Sequence, residues 1–234
     1  MQKILIWNQH WTLDSNLNRS VRAAIQKLTG NGEPAVFYFL AQTDFTRLCL
    51  SQLRSVQKST GRDFTAVYLS TADCSDGDNR FFRLIDRVEY PFGSRRPEEM
   101  DHLMSGQRQA LDIYALRQCD ALLCYFYPSM SRSEWNRIMA RCNKPKQIIN
   151  LARPATENKI IQYMEFLKPE ERLVFDGYRM GKTTRQINAE LGGTYPSKIS
   201  FLYSRAVFSI GRRFQVEIRA EERRRRERRS ASRP

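Results

Sequence analysis

The sequence predicts an α/β domain with a parallel sheet, followed by a small all-α domain. Two patterns lead to this prediction: short apolar runs alternate with helical periodicity over residues 1–152, and glycine turns separate short helical patterns over residues 167–215. The charge is also uneven. Of the +14 carried by 234 residues, residues 153–234 contribute 19 basic and 10 acidic side chains, a net +9. A basic skew confined to one module is typical of a protein that binds a polyanion.

Residues 1–152 contain five apolar runs that predict buried strands, with helical patterns between them. The strands are expected at 3–7, 35–40, 66–69, 121–127 and 147–151, and the helices at 17–28, 44–58, 97–118 and 131–142. Such alternation is typical of a parallel sheet that helices cover on both faces. In these sheets ligands bind beyond the carboxyl ends of the strands, where the strand order reverses.

The last α/β unit carries the most specific pattern of this domain. The strand Cys119-Asp-Ala-Leu-Leu-Cys-Tyr-Phe-Tyr127 leads through a polar turn into a helix, and Lys146-Gln-Ile-Ile-Asn-Leu-Ala152 returns as a strand. Together with residues 82–91 upstream, this arrangement resembles the SLOG superfamily of Rossmann-like domains, which includes DprA and the LOG-type nucleotide phosphoribohydrolases. The resemblance implies a Rossmann-like fold and a nucleotide-derived small molecule as ligand.

The turn after this strand departs from the pattern of the LOG-type phosphoribohydrolases. LOG-type enzymes have Pro-Gly-Gly-x-Gly-Thr-x-x-Glu there, and the glycines let backbone N–H groups close on a phosphate. Here residues 128–134 contain no glycine, which favours a sensor or a dimerisation platform over an enzyme and leaves Glu134 as the one catalytic candidate. In the alternative interpretation, Ser131 or Ser133 only caps the helix while Glu134 complements its dipole.

The predicted ligand pocket lies between the loops after the first and the fourth predicted strands, residues 8–11 and 128–134. Hydroxyl, amide and charged side chains in these loops would hold an anionic ligand, and an aromatic ring at the strand end would stack on a base. The candidate ligand-binding residues are Asn8, Gln9, His10, Arg108, Tyr127, Ser129, Ser131, Arg132 and Glu134.

Residues 167–215 predict three helices separated by tight turns. Pro169 suits the first turn of a helix. Thr183 followed by Gln186 forms a capping box for the second helix. Gly192-Gly193-Thr194 is the next turn, and Pro196 opens a third helix with an apolar face and a basic face.

This segment resembles the end domain of bacterial sigma factors, which reads the −35 element, and its LuxR-type relatives. The matching features are Leu167, Pro169, Glu171 and Val174, then Gly181 to Thr184, Ile187, Leu191 and Gly192, then Ile199, Arg205 and Ala206. The resemblance implies a helix-turn-helix domain that binds double-stranded DNA, with RNA polymerase as a further partner. The expected DNA contacts are Lys182, Thr184, Arg185, Tyr195, Ser197, Lys198, Ser200, Arg205, Arg212 and Arg213. The alternative is a trihelical module that only packs or dimerises.

Two further segments complete the predicted organisation. Residues 153–166 form a helical linker between the domains, and residues 216–234 form an arginine-rich tail. The low complexity of the tail predicts a solvated, partly helical structure that adds phosphate contacts without reading sequence.

Composition excludes several classes of protein. Five cysteines without C-x-x-C spacing and two histidines predict no metal site and free thiols in a reducing cytoplasm. The apolar runs are too short for a signal peptide or a membrane span. We therefore expect a cytoplasmic bacterial regulator that is homo-oligomeric, has no cofactor and has no membrane partner. An enzyme that processes nucleotides, or a degenerate Rossmann-like platform for dimerisation, remains open as an alternative.

Overall fold

The computed structural model describes residues 1–8, 17–71, 79–93, 104–127, 140 and 147–231. The chain divides into two compact units. The first contains the described residues from Met1 to Phe126 and from Ala140 to Leu151, and the second contains Tyr127 and residues 152–231.

The first unit is built on a six-stranded sheet in which every strand pair is parallel. The strand order is β4-β3-β2-β1-β5-β6. The strands are β1 (Gln2–Asn8), β2 (Ala35–Phe39), β3 (Phe64–Leu69), β4 (Arg87–Glu89), β5 (Ala121–Tyr125) and β6 (Gln147–Asn150). The helices are α1 (Leu17–Leu28), α2 (Asp44–Thr60), α3 (Asn79–Phe82) and α4 (Met104–Gln118). This arrangement confirms the predicted Rossmann-like α/β fold, while residues 97–103 and all of the predicted helix at 131–142 except Ala140 lie outside the described residues.

Burial explains why most of the strands could be predicted from the sequence. Every residue of β2 and β5 is buried, so each reads as a continuous apolar run. The edge strand β4 was not predicted, because it has only three residues and two of them, Arg87 and Glu89, are charged. In the structure these two side chains form an ion pair at 2.8 Å. Charged, very short edge strands also prevent sheets from pairing with other chains.

The second unit is helical throughout its described part from Pro154 onwards, apart from short connections. Its elements are α5 (Pro154–Tyr163), a 3₁₀ turn (Met164–Phe166), α6 (Pro169–Arg179), α7 (Thr184–Glu190) and α8 (Pro196–Ala231). Val174, Ile187, Ile199 and Leu202 form the buried core between α6, α7 and α8. The residues predicted as a helical linker, 153–166, contain α5 and its 3₁₀ turn and belong to the second unit.

The predicted helix signals of this unit are also confirmed. Thr183 accepts a hydrogen bond from the Gln186 N–H at 3.3 Å, and the Gln186 side chain accepts from the Thr183 N–H at 2.8 Å. Gly192 and Gly193 have φ values of 77° and 82°, which side chains with a Cβ rarely adopt. Helix α8 continues without a break into the arginine-rich segment as far as Ala231. None of the helices in the described ranges combines the length and the apolar character that crossing a membrane requires.

Candidate functional site

The strand order of the sheet reverses between β1 and β5. From β1 the chain continues through β2 and β3 to β4 on one side, whereas β5 and β6 extend the sheet on the other side. Asn8 and Tyr125, at the carboxyl ends of the two strands, are partners in the parallel register. The crevice outside such a reversal is where open α/β sheets bind ligands. The structure thus brings together the carboxyl ends of the two strands that precede the predicted loops. Of the loop residues themselves, only Asn8 lies within the described part of the chain.

Side-chain amides and hydroxyls join the elements at this edge. Asn8, predicted as a ligand-binding residue, is half-buried, and its Oδ1 accepts a hydrogen bond from Oγ1 of Thr43 at 3.0 Å. The same Thr43 hydroxyl caps α2 by accepting from the Thr46 N–H at 3.2 Å. Asn8 is therefore oriented by the first turn of α2, which lies beside the strand reversal.

Asn150 acts in the same way on the other side of β5. Its Nδ2 donates to the carbonyl oxygen of Phe126 at 2.8 Å, and its Oδ1 accepts from the Phe126 N–H at 3.1 Å. Sequence reasoning missed both Thr43 and Asn150. The signal that could have found them is a polar side chain at, or a few residues after, the end of a buried strand.

The aromatic residues at the end of β5 lie in the core. Tyr125 and Phe126 are fully buried, and Tyr127, the predicted stacking residue, is only 2% exposed. The Tyr125 ring packs 5.6 Å from Phe45, and the Phe126 ring packs 5.1 Å from Trp7, between ring centroids. In this structure Tyr127 offers no open ring face for a base to stack on.

The side chains of the other predicted ligand-binding residues lie outside the part of the chain that the structure describes. Arg108 lies on α4, but its side chain is outside the part that the structure describes. The remaining candidates also lie outside the described residues, namely Gln9, His10, Ser129, Ser131, Arg132 and Glu134.

In the helical unit, the residues that follow the glycine turn, at the start of α8, are largely exposed. Tyr195 is 82% exposed, and Ser197, Lys198 and Ser200 are exposed on the turns that follow. Thr184 and Arg185, also predicted as DNA contacts, are exposed at the start of α7, where the Thr184 hydroxyl lies 3.0 Å from that of Tyr178.

Ion pairs within the unit engage three of the predicted cationic contacts. Lys198 Nζ lies 3.0 Å from Glu170 Oε1, and Lys182 pairs with Glu190. Arg205 Nε lies 3.0 Å from Oε1 of Glu171, whose side chain is only 4% exposed.

A buried carboxylate needs a charged partner, so Arg205 helps to hold α8 against α6. In contrast, Arg185 makes no ion pair with any residue that the structure describes.

Arg212 and Arg213 lie in a different place, roughly 22 Å along α8 from Ser197 at 1.5 Å per residue. Together with Tyr163, Phe166, Ser209, Val216 and Glu217 they line an open depression of about 460 Å³. The Arg213 guanidinium lies 3.8 Å from the centroid of the Phe166 ring, a cation–π contact. The structure therefore does not group these two arginines with the exposed first turns of α8.

Lys159 and Tyr163 set the electrostatics of this depression. Lys159 Nζ donates to Glu217 Oε2 at 2.7 Å, and this contact first, followed by the Tyr163 hydroxyl, lowers the pKa of Glu217. Burial first, and then the neighbouring Glu217 carboxylate, raise the pKa of Tyr163.

Sequence reasoning also missed an exposed aromatic residue among the first turns of α8. Phe201 is 59% exposed, and the Arg205 guanidinium lies 5.5 Å from the centroid of its ring. The spacing of four residues between Phe201 and Arg205 on one helix is the signal that could have found this pair.

Comparison with known proteins identifies no family for this chain. No protein-family model, no curated protein and no solved structure matches the chain significantly.

Proposed function

We propose that the protein is a cytoplasmic DNA-binding transcriptional regulator, in which α6, α7 and α8 form a helix-turn-helix module. The observation that carries the proposal is the tight Gly192-Gly193 turn between the short α7 and the exposed first turns of α8. This arrangement lets a helix enter a major groove while the preceding helix crosses the phosphate backbone. The net charge of +9 over residues 153–234 supplies the attraction to phosphates.

The ion pairs divide the predicted contacts into two kinds. Because Lys198 and Arg205 already pair with Glu170 and Glu171, they hold the module together as well as facing DNA. Arg185, exposed at the first turn of α7, is the best candidate for a direct phosphate contact.

The test is fluorescence anisotropy of the full chain on random and genomic duplex DNA over a range of salt concentrations. Arg185→Ala should weaken binding uniformly across sequences and reduce the slope of log K against log salt by about 1. Arg172→Ala is the matched control, because Arg172 is exposed on α6 and the variant loses the same charge. Absence of binding at about 50 mM salt contradicts the proposal.

The α/β unit of this regulator binds an anionic, nucleotide-like molecule. Support comes from the strand reversal between β1 and β5, with Asn8 oriented at its edge by Thr43. A thermal-shift screen of nucleotides on the full chain tests this, because a ligand raises the melting temperature as its concentration rises. Multiple turnover of a nucleoside monophosphate that Glu134→Gln abolishes would instead favour the enzyme.

The regulator is also proposed to be a homo-oligomer. As a dimer it would bind two half-sites one helical turn apart, as dimeric helix-turn-helix proteins do. RNA polymerase is the proposed second partner, on the basis of the sigma-like pattern in residues 167–215. If sedimentation gives a dimer and the chain binds neither duplex DNA nor nucleotides, the dimerisation platform becomes the better proposal.

A further inference from the structure

An exposed aromatic side chain occupies the solvent-facing side of the first turns of α8. Phe201 is 59% exposed, whereas Ile199, Leu202 and Ala206 on the opposite side of the helix are buried. A single exposed apolar residue is common on protein surfaces and by itself indicates nothing. Two further observations distinguish Phe201.

The first is that a cation anchored by a buried carboxylate lies beside the Phe201 ring. Glu171 is almost fully buried and pairs with Arg205 at 3.0 Å, and the Arg205 guanidinium lies 5.5 Å from the centroid of the Phe201 ring. A cation within about 6 Å of an aromatic face attracts it. This contact favours one orientation of the exposed ring.

The second concerns the neighbours of Phe201 on the exposed side. On a helix these are the residues three and four positions away. Ser197 and Ser204 are small and exposed, while the longer Lys198 and Arg205 form ion pairs with Glu170 and Glu171 of α6. The ring therefore remains open to an approaching surface.

We infer that Phe201 is a specificity-determining residue that contacts the 5-methyl group of a thymine in the major groove. This inference rests on the proposed DNA-binding function and names a feature of the DNA that the site selects. Thymine presents a methyl group in the major groove, and contact with an apolar side chain such as Phe recognises it. Arg205 then acts as a positioning residue for the ring and not as a reader of bases.

The experiment compares thymine with uracil in duplex DNA. Preferred sites are selected from a random duplex library with the full chain, and each thymine is then replaced in turn by deoxyuridine, which lacks only the methyl group. Removal of one contacted methyl should weaken binding about fourfold at one or two positions, as expected for roughly 0.8 kcal/mol.

Variants assign this discrimination to Phe201. Phe201→Ser should bind the thymine and uracil duplexes equally, and Phe201→Leu should retain part of the difference. Phe208→Ser is the matched control, because Phe208 is 60% exposed two turns further along α8 and should leave the difference intact. Arg205→Lys keeps the charge but removes the planar guanidinium beside the ring, so it should reduce the thymine preference while the salt slope stays close to wild type.

Three outcomes would overturn the inference. If the wild-type chain binds selected duplexes and loses no affinity at any uracil, the inference is wrong while the proposed function stands. If the chain binds no duplex at all, the proposed function fails and the inference with it. If Phe201→Ser converts a dimer to a monomer but keeps the thymine preference, Phe201 serves self-association instead.

Discussion

The Asn150 side chain makes two hydrogen bonds to the backbone of Phe126, one through Nδ2 at 2.8 Å and one through Oδ1 at 3.1 Å. Phe126 follows directly after β5 and is fully buried. Asn150 is the last residue of β6 and is paired with Cys124, so its side chain extends the contact between the strands two residues further along the chain, to Phe126. This pair fixes the carboxyl end of β5 beside the proposed ligand crevice.

Substitution of Asn150 should test this relationship. We expect Asn150→Leu to lower the free energy of unfolding by about 1–3 kcal/mol, because it leaves two buried backbone groups without these partners. Urea unfolding followed by circular dichroism measures the change. Ile148→Val is the control, because Ile148 is 39% exposed on the same strand and should change stability by less than about 0.5 kcal/mol. Equal effects of the two variants would contradict the assignment.

Gly177 should resist substitution although it lies within α6. A Cβ at this position would lie 2.7 Å from Cγ1 of the buried Ile187. We expect Gly177→Ala to destabilise the helical unit. Overpacking costs about 1–3 kcal/mol, and the higher helix propensity of alanine offsets roughly 1 kcal/mol of that cost.

A double-mutant cycle with Ile187→Ala identifies the cause of this effect. Ile187→Ala removes the atoms that the new methyl group would meet, so Gly177→Ala should no longer destabilise in that background. Stabilisation by Gly177→Ala in the otherwise wild-type chain would show that α6 and α7 do not pack this closely.

The capping box of α7 should contribute measurably to the stability of the proposed DNA-binding module. Thr183→Ala removes the hydroxyl that accepts from the Gln186 N–H and should cost about 1 kcal/mol in thermal or urea unfolding. The neighbouring Thr184→Ala provides the comparison, since the Thr184 hydroxyl makes an exposed hydrogen bond with the Tyr178 hydroxyl and does not cap the helix. A larger loss for Thr184→Ala than for Thr183→Ala would contradict the cap.

The Lys159–Glu217 pair should make the free energy of unfolding depend on pH in the acidic range. Because the folded state lowers the pKa of Glu217, the pair stabilises the fold above the ordinary carboxyl pKa, and this contribution is lost as pH falls through the lowered value. The two side chains are 52% and 47% exposed, so the contribution is expected to stay below about 1 kcal/mol.

The measurement is the difference in unfolding free energy between wild type and Glu217→Gln at pH 7 and near pH 3. The difference should be present at pH 7 and shrink toward zero at the lower pH. Glu165→Gln, at an exposed position of the 3₁₀ turn, should show no such change. A difference that is equal at both pH values would exclude the pair as its source.

Much of the fold could be predicted because its signals are local or periodic. A strand buried on both faces shows as an apolar run, which is why β2 and β5 were found to within two residues at their carboxyl ends. The three-residue β4 has no such run, and the amide of Asn150 looks like any polar residue until the partner backbone is known.

The sequence by itself determined five of the strands and the longer helices between them, the cap of α7 and the glycine turn before α8. Each of these depends on residues within a few positions of one another, since hydrogen bonds and φ preferences act locally. Only the tertiary structure decided that Asn8 lies beside Tyr125 and that Tyr127 is buried. It also decided that the buried Glu171 pairs with Arg205, 34 positions further along the chain. Such contacts join residues far apart in the chain, so the packing of the whole unit selects them and no local pattern records the choice.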